Sequence, residues 1–544
     1  MAEEKVEFGV SSVNGFNDHQ AVVQLGERRR AALAEIDNAK FGWFHIRACI
    51  VSGIGFFTDS FDLFAINLAS LMLGWTYFQA NGNTLPTNVD TAIKVSASVG
   101  TMVGQFLFGW LADRVGRKRM YGVELMIIII ATIGQALAGD SFSISVWGII
   151  TFWRVILGIG IGGDYPLSAV ITSEFATTRH RGAMMAAVFA MQGFGILTAS
   201  VLSVIILACY QSEIVTVPPN RVALDQCWRI LIGLGAVPAI AALYFRLTIP
   251  ETPRYTMDIE KKITKGAKDA TAFLSRGAAS GDYNDGDLVE QSEVPKASIS
   301  DFLNYFGKWE NGKVLLGTAS TWFLLDIAFY GMGLNNGFVL EAIGFSSKDN
   351  AYTALFQASV GNIIINLLGT VPGYWITVFT IERLGRKTIQ LLGFAALTVI
   401  YISMGAAFHQ LKQASIPGFI VLFTLAQLFT NFGPNSTTFI VPGEVFPTRY
   451  RSTGHGISAA FGKLGAIVAQ IGFSQLKDIG GKNAFIDKLL IIFGVIMFLG
   501  LLCTFLIPET KGRSLEDLSN EGQDNFVHQS TTRKLSASEG AEDV

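Results

Sequence analysis

Charge is scarce in this chain. Of its 544 residues 15% are charged and 50% are hydrophobic, whereas soluble domains carry about a quarter charged residues. A single soluble core rarely grows beyond roughly 250–300 residues, so this much apolar sequence calls for a bilayer as solvent. Cysteine is scarcer still. Four are present, Cys49, Cys209, Cys227 and Cys503, with no CxxC pair. That excludes a disulfide framework and leaves room only for one bridge, between Cys209 and Cys227, which flank one predicted outer loop. No GxxxxGK[ST] loop is present, which excludes an ATP-driven pump and argues against an enzyme. No metal or other cofactor is expected. A net charge of −2 argues against a nucleic-acid surface. The first residues, MAEEKVEFGV, are polar and acidic rather than a cleavable leader. The first hydrophobic span is therefore expected to direct insertion itself.

What the chain has is apolar spans. A membrane helix needs about 20 mainly apolar residues, and twelve candidates are present. They fall near 47–75, 95–112, 120–139, 146–172, 183–208 and 229–249, then 314–339, 354–381, 387–408, 417–442, 454–475 and 487–507. The expected organisation is a first six-helix bundle over 47–250 and a second over 314–508. A cytosolic segment 1–46, a linker 251–313 and a mostly disordered tail 509–544 flank and join them. Basic residues fix the orientation. DRVGRKR follows span 2, TTRHRG span 4, ERLGRK span 8 and PTRYRS span 10. The alternate loops are almost free of Lys and Arg until the last, which holds Lys477 and Lys482. The basic loops, the linker and both termini are thus expected in the cytosol.

The halves echo each other. Asp113-Arg-Val-Gly-Arg-Lys matches Glu382-Arg-Leu-Gly-Arg-Lys at an interval of 382 − 113 = 269. Glu174-Phe-Ala-Thr-Thr-Arg-His-Arg-Gly resembles Glu444-Val-Phe-Pro-Thr-Arg-Tyr-Arg-Ser at 444 − 174 = 270. Ile249-Pro-Glu-Thr recurs at Ile507-Pro-Glu-Thr. Three pairs in matching order indicate two six-helix pseudo-repeats, the layout of transporters whose halves rock about a midplane site.

Ionisable residues within a bilayer cost about 2.5–3.5 kcal/mol each at mid-helix, so those that persist line a cavity or do work. They are Asp59 and Asp62 in span 1, Glu124 in span 3, Arg154 and Asp164 in span 4, Asp326 in span 7 and Lys463 in span 11. Trp322, Asp326 and Tyr330 are spaced i, i+4, i+8 and share one helix face. A carboxylate between two aromatics with polar hydrogens suits a binding wall; the plainer alternative is a structural pair with Lys463. Gly158, Gly160 and Gly163 satisfy GxGxxG, but no strand precedes them, so a dinucleotide site is rejected. They read instead as close helix packing, with Pro166 disturbing the helix beyond Asp164 and Tyr165. Gln192 and Asn431 are amides at similar depth. Asn435-Ser-Thr matches a glycosylation pattern but lies inside span 10, out of reach of the transferase. His455 reads as structural.

The repeated D-R-x-G-R-K and PET motifs resemble those of the major facilitator superfamily. The run Gly162-Gly-Asp-Tyr-Pro-Leu-Ser-Ala-Val-Ile-Thr-Ser-Glu174 is similar to the signature of the phosphate:proton symporters of fungi and plants. The likeness extends from FGWFHIRACIVSGIGFFTDSFDLFAINL to NFGPNSTTFIVPGEVFPTRYRSTGHG and is strongest to fungal high-affinity members. It implies an all-α membrane protein with the major facilitator fold that imports inorganic phosphate, and arsenate on shape, together with protons. It assigns Tyr165, Gln192, Trp322, Asp326, Tyr330 and Asn431 to a phosphate pocket. It makes Asp59, Asp62, Glu124, Asp164 and Asp326 candidates for proton coupling. Arg154 and Lys463 would set the field, with Lys463 either attracting the anion or serving Asp326 as counter-ion.

A carboxylate in an anion site has a chemical reason. Dihydrogen phosphate still carries hydroxyl donors, and sulfate has none. Sites that pair a substrate hydroxyl discriminate strongly against analogues without one. Asp113, Arg117, Glu174, Arg179 and Arg181, with their copies Glu382, Arg386, Glu444, Arg449 and Arg451, are expected to latch the halves together on the cytosolic side. The competing functions are a proton-coupled sugar symporter, disfavoured because Asp326 stands where a glutamine pair is expected, and a phosphate transceptor. Serines and lysines of the linker and tail are potential sites for cytosolic regulators.

Overall fold

Twelve helices long and apolar enough to cross a membrane make up the computed structural model, which describes residues 33–248, 251–258, 297–337, 340, 350–414, 416–481 and 484–519. They are α1 (Trp43–Tyr77), α2 (Thr87–Val115), α3 (Arg117–Ala136), α4 (Val146–Phe175), α5 (Arg181–Cys209) and α6 (Arg221–Leu247). The second six are α7 (Trp309–Gly333), α8 (Ala351–Leu384), α9 (Arg386–Ala406), α10 (Ile416–Val445), α11 (Thr448–Leu476) and α12 (Ile486–Leu506). No strand occurs among the described residues. The acidic stretch of the linker, Lys482 and the tail beyond residue 519 lie outside them.

Local chemistry sets the helix ends. The Ser145 hydroxyl accepts from Gly148 N at the start of α4, and the Asn220 and Asn350 side chains cap α6 and α8 in the same way. Gly116 and Gly385, the glycines of the repeated D-R-x-G-R-K motif, adopt φ of 110° and 91°, a region that L side chains avoid. Each thereby ends one helix and starts the next. The repeated PET glutamates complete these corners. Glu251 accepts from Lys118 N, and Glu509 accepts from Arg386 N and Lys387 N. A carboxylate thus satisfies orphan amides at the N-termini of α3 and α9 and opposes their positive dipole ends.

Several spans differ from their sequence bounds. Helix α2 begins at Thr87 rather than 95 because its polar first turns continue the helix past the apolar stretch. Helix α7 ends at Gly333, short of 339. Pro166 lies inside α4 without interrupting it, contrary to expectation. The interruptions fall in the second half instead. Helix α8 contains a π-helical turn at Asn366–Thr370, and α10 breaks between Asn431 and Pro434 at Gly433.

Glycine lets helices meet backbone to backbone. A Cβ on Gly158 or Gly162 of α4 would collide with Ala97 O or Thr101 O of α2, and one on Gly100 or Gly104 with Val155 O or Ile159 O. The GxGxxG run is therefore a packing seam. A second seam crosses between the halves, where Gly109 of α2 abuts Ser452 O and Gly456 of α11 abuts Gln105 O. The halves also meet where α5 packs on α8. Cys209 and Cys227 are free thiols, so the bridge considered between them is not formed.

Candidate functional site

At mid-depth, between the halves, the Lys463 ammonium of α11 donates to Asp326 Oδ2 at 3.0 Å and to the Tyr330 hydroxyl at 2.9 Å, both on α7. It also stands 4.3 Å from the Tyr330 ring centroid and 5.1 Å from that of Tyr165, which belongs to the other half. The i, i+4 spacing thus places Asp326 and Tyr330 on one face, and Lys463 is the counter-ion. Trp322, one turn earlier, packs its ring 6.3 Å from Tyr165 and 5.5 Å from His455. His455 is buried with Nε2 3.1 Å from Phe439 O, a structural role.

A chain of amides and hydroxyls closes the opposite wall. Gln192 Nε2 donates to the Tyr165 hydroxyl at 2.9 Å, and the Tyr374 hydroxyl donates to Gln192 Oε1 at 3.1 Å. Asn435 Nδ2 donates to both the Tyr374 hydroxyl and Asn431 Oδ1 at 2.8 Å. Asn431 and Asn435 are spaced i, i+4 and face inward on either side of the break in α10. All six residues of the expected pocket therefore gather here, and Tyr374 and Asn435 join them. The sequence reading missed both. Asn435 was seen only as a glycosylation pattern.

Aromatic layers bound the site above and below. Toward the basic loops, Phe189 of α5 stacks on Phe439 of α10 at 4.4 Å, with Phe56 edge-on to Tyr165 and Phe439 at 5.1 Å. Toward the other face, Phe64 meets Phe329 at 5.9 Å and Tyr330 at 6.1 Å.

A second charged group sits within the first half. Arg246 of α6 donates to Glu124 at 2.8 Å and to Asp164 at 2.7 Å, and its guanidinium lies 4.3 Å over the Tyr121 ring. All three charged side chains are buried. Gly55 makes room for them, since a Cβ there would strike Arg246 and Asp164. One turn along α1 is Asp59, buried and within electrostatic range of Asp164, Arg246 and Glu124. Neither of its carboxylate oxygens has a hydrogen-bond partner among the described residues. The sequence list of intramembrane charges overlooked Arg246, although it lies within span 6.

Asp62 and Arg154 form neither group. Thr132 donates to Asp62 Oδ2 at 2.8 Å, and Arg154 is bound to Ile93 O, Asp62 O and Gln135 Oε1. The structure gives Arg154 no contact with the central site; it ties α4 to α1, α2 and α3.

The basic-loop face is shut by charge. In the first half Arg117 lies between Asp113 and Glu174, and in the second Arg386 lies between Glu382 and Glu444. Across the halves Arg451 pairs with Glu174 at 2.8 Å, and Arg117 donates to Thr448 O at 2.8 Å. Asp113 accepts from Thr453 N at 2.7 Å, and Glu382 accepts from Ala183 N at 3.0 Å. Three expected latch residues act otherwise. Arg449 pairs with Asp301 of the helix Ile299–Phe306, Arg181 pairs with Asp37 and donates to Arg513 O, and Arg179 is exposed. Asp37, ahead of α1, also pairs with Arg254, which in turn holds Glu516. Burial works against the Glu516 charge, but the Arg254 guanidinium outweighs it and holds that carboxyl down at about 2. The opposite face carries an open cleft of about 850 Å³ that includes Asn67, Asp90, Lys94, Asn335, Lys477 and Asp478.

The sugar (and other) transporter family matches residues 48–521. The repressible high-affinity phosphate permease of Neurospora crassa is 49% identical, over 93% of this chain and 92% of its own. The inorganic phosphate transporter PHO84 of Saccharomyces cerevisiae is 46% identical, over 93% and 89%. Inorganic phosphate transporter 1-4 of Arabidopsis thaliana is 41% identical, over 92% and 98%. Among solved structures the proton:xylose symporter XylE superposes with a TM-score of 0.66 at 19% identity, over 87% of this chain and 98% of that one, which speaks for the fold alone. With twelve spans, a repeated charge motif and full-length relatives in fungi and plants, the chain belongs to the sugar (and other) transporter family of the major facilitator superfamily.

Proposed function

We propose that this protein carries inorganic phosphate, as dihydrogen phosphate, into the cell with protons by alternating access across the plasma membrane, both termini lying in the cytosol. The observation that carries the reading is the Asp326–Lys463–Tyr330 group facing Tyr165 and Gln192 across the halves. The names of the full-length relatives support it.

The chemistry follows from shared donors. In this structure Lys463 is committed to Asp326. When Asp326 takes a proton, Lys463 loses its counter-ion and becomes free to hold an anion. The protonated site then binds phosphate through Lys463, the Tyr165 and Tyr330 hydroxyls, the Trp322 indole and the Gln192 and Asn431 amides. The carbonyl oxygen of the protonated Asp326 accepts from a phosphate hydroxyl, a bond that sulfate has no hydroxyl to make. Arsenate keeps the same hydroxyl pattern and is carried too.

The second group supplies further protons. Glu124 and Asp164 share the cation Arg246, which also lies within electrostatic range of Asp59. Uncompensated charge so deeply buried costs several kcal/mol per ion, so this group holds protons and passes them toward the cytosol as the halves rock. One charge across 100 mV costs about 2.3 kcal/mol. One proton per dihydrogen phosphate only cancels that charge, and accumulation driven by voltage uses more than one. The closed basic-loop face and the open cleft opposite correspond to a state with the cytosolic side shut.

The test is radiolabelled phosphate uptake into liposomes holding the purified protein, with an inward proton gradient present or collapsed and with glucose and sulfate as competitors. Gradient-dependent accumulation indifferent to both competitors is expected. Accumulation of glucose instead of phosphate would overturn the substrate assignment and favour the sugar reading that the family description allows.

A further inference from the structure

Between the open cleft and the central site lies a chamber whose polar lining is built of uncharged groups from both halves. Its polar residues are Asn67, Ser200, Asn336, Asn362, Asn366, Thr370 and Gln427, and the Phe64–Phe329 contact floors it above Tyr330. Asn67 also lines the cleft, so the two spaces adjoin. Asn366 and Thr370 belong to the π-helical turn of α8, a departure from α-helical pairing that is frequent at functional sites.

Some of these amides are bound. Asn67 Nδ2 donates across the halves to Gly333 O at 2.9 Å, Asn336 Nδ2 to Asn362 Oδ1 at 3.2 Å, and the Thr370 hydroxyl to Asn366 Oδ1 at 3.1 Å. The other end of each is not. Asn67 Oδ1, Asn336 Oδ1 and Asn366 Nδ2 are buried without a hydrogen-bond partner among the described residues, in side chains of which Asn336 and Asn366 are 7% and 4% exposed. Leaving such a group unpaired costs about 1–3 kcal/mol. Three around one small space are a standing cost to the fold, and apolar residues of similar shape would avoid it.

The geometry points to a transit subsite for dihydrogen phosphate, lying outside the central pocket and resting on the phosphate reading above. Two free acceptors and one free donor match an anion that brings both hydroxyls and bare oxygens. Sulfate can answer only the donor. With no charged residue in its described lining, the subsite offers no strong grip and releases its ligand inward. In this state the chamber is drawn in to about 20 Å³, room for roughly one water. The chamber therefore widens to admit phosphate from the cleft, and phosphate passes inward as Phe64 and Phe329 part.

Asn366→Leu and Asn336→Leu test this in the full-length protein, each beside wild type. Initial phosphate uptake into proteoliposomes gives kcat/KM. The phosphate-induced rise in thermal midpoint in detergent reports the central site. A fall in kcat/KM of about tenfold, with the phosphate-induced rise kept, is expected. Wild-type uptake by both variants would overturn the subsite. So would loss of the thermal response along with uptake, because the amides would then serve only the fold. A wild-type protein that accumulates no phosphate would sink the phosphate reading itself, before either variant is compared.

Discussion

Lys463 has two partners on α7 and a third group, the Tyr165 ring, on the opposite half. Removing one member of a buried pair costs about 3–5 kcal/mol, whereas replacing both with apolar or neutral residues of similar size is often harmless. Asp326→Asn alone should therefore abolish concentrative uptake and lower the thermal midpoint. Adding Lys463→Met should restore the midpoint without restoring uptake, as paired melting and transport assays would show. Uptake by the double variant would mean that neither charge handles phosphate or protons. Spacing alone revealed the shared face of Asp326 and Tyr330, and depth alone revealed Lys463. Tyr374 carried no signal, being one aromatic among many in an apolar span. Asn435 did carry one. Counting back the interval of 270 residues that separates Glu174 from Glu444 gives 435 − 270 = 165, so Asn435 is the repeat counterpart of Tyr165. Arg246 was visible as a charge inside span 6 and should have been counted with Glu124 and Asp164.

At the scale of helices, glycine placement decides how near two axes come. The α2–α4 seam needs Gly158 bare, since a Cβ would lie 2.3 Å from Ala97 O. Backbone cannot swing aside as a flexible side chain can, so overpacking here should cost at least the usual 1–3 kcal/mol. Gly158→Val is expected to lower the thermal midpoint sharply. Gly472→Ala, on an open face of α11 with nothing nearby, should leave it unchanged. The run around Gly158 was readable as packing because no strand preceded it. The interruptions carried a signal in proline and glycine rather than in hydropathy, and the span reading missed it. Pro166 promised a disturbed α4, yet that helix continues through it. The break in α10 falls at Gly433-Pro434, a pair that marks turns, within the polar run from Asn431 to Thr438, and the π-helical turn of α8 at Asn366–Thr370 stands just before Pro372.

Across the whole molecule the two halves are alike in motif and unlike in wiring. Arg451 enters the charge group of the first half, but its counterpart Arg181 is taken by Asp37 and Arg513 O. The repeat predicted a symmetric latch. Asp37 and Glu516 lie outside the repeated motifs, so nothing in the repeat could foretell the asymmetry. The segment before α1, the residues after α6 and the short helix Leu515–Leu518 after α12 meet through Asp37, Arg254 and Glu516. The sign of its pH dependence is fixed. A carboxyl held near 2 against an ordinary 4.5 stabilises the folded state above about pH 4.5, and that contribution, about 3 kcal/mol, is lost as pH falls toward 2. Glu516→Gln should therefore lower the thermal midpoint at pH 7 and narrow its gap to wild type as the sample is acidified to pH 3. A gap that stays constant with pH would mean that Glu516 is held by packing rather than by charge.

The seam between α2 and α11 bears on how tightly the proposed symport would couple its cargoes. Gly109 and Gly456 bring main chain against main chain there, with no side chain to bend between them. Such a contact is either seated or parted and has few stable positions between. A carrier that closes in this way behaves as a switch, and a switch passes through half-closed forms too briefly for ions to slip past unaccompanied. Under the proposed symport, low proton leak in the absence of phosphate is thus the outcome expected from two missing methyl groups.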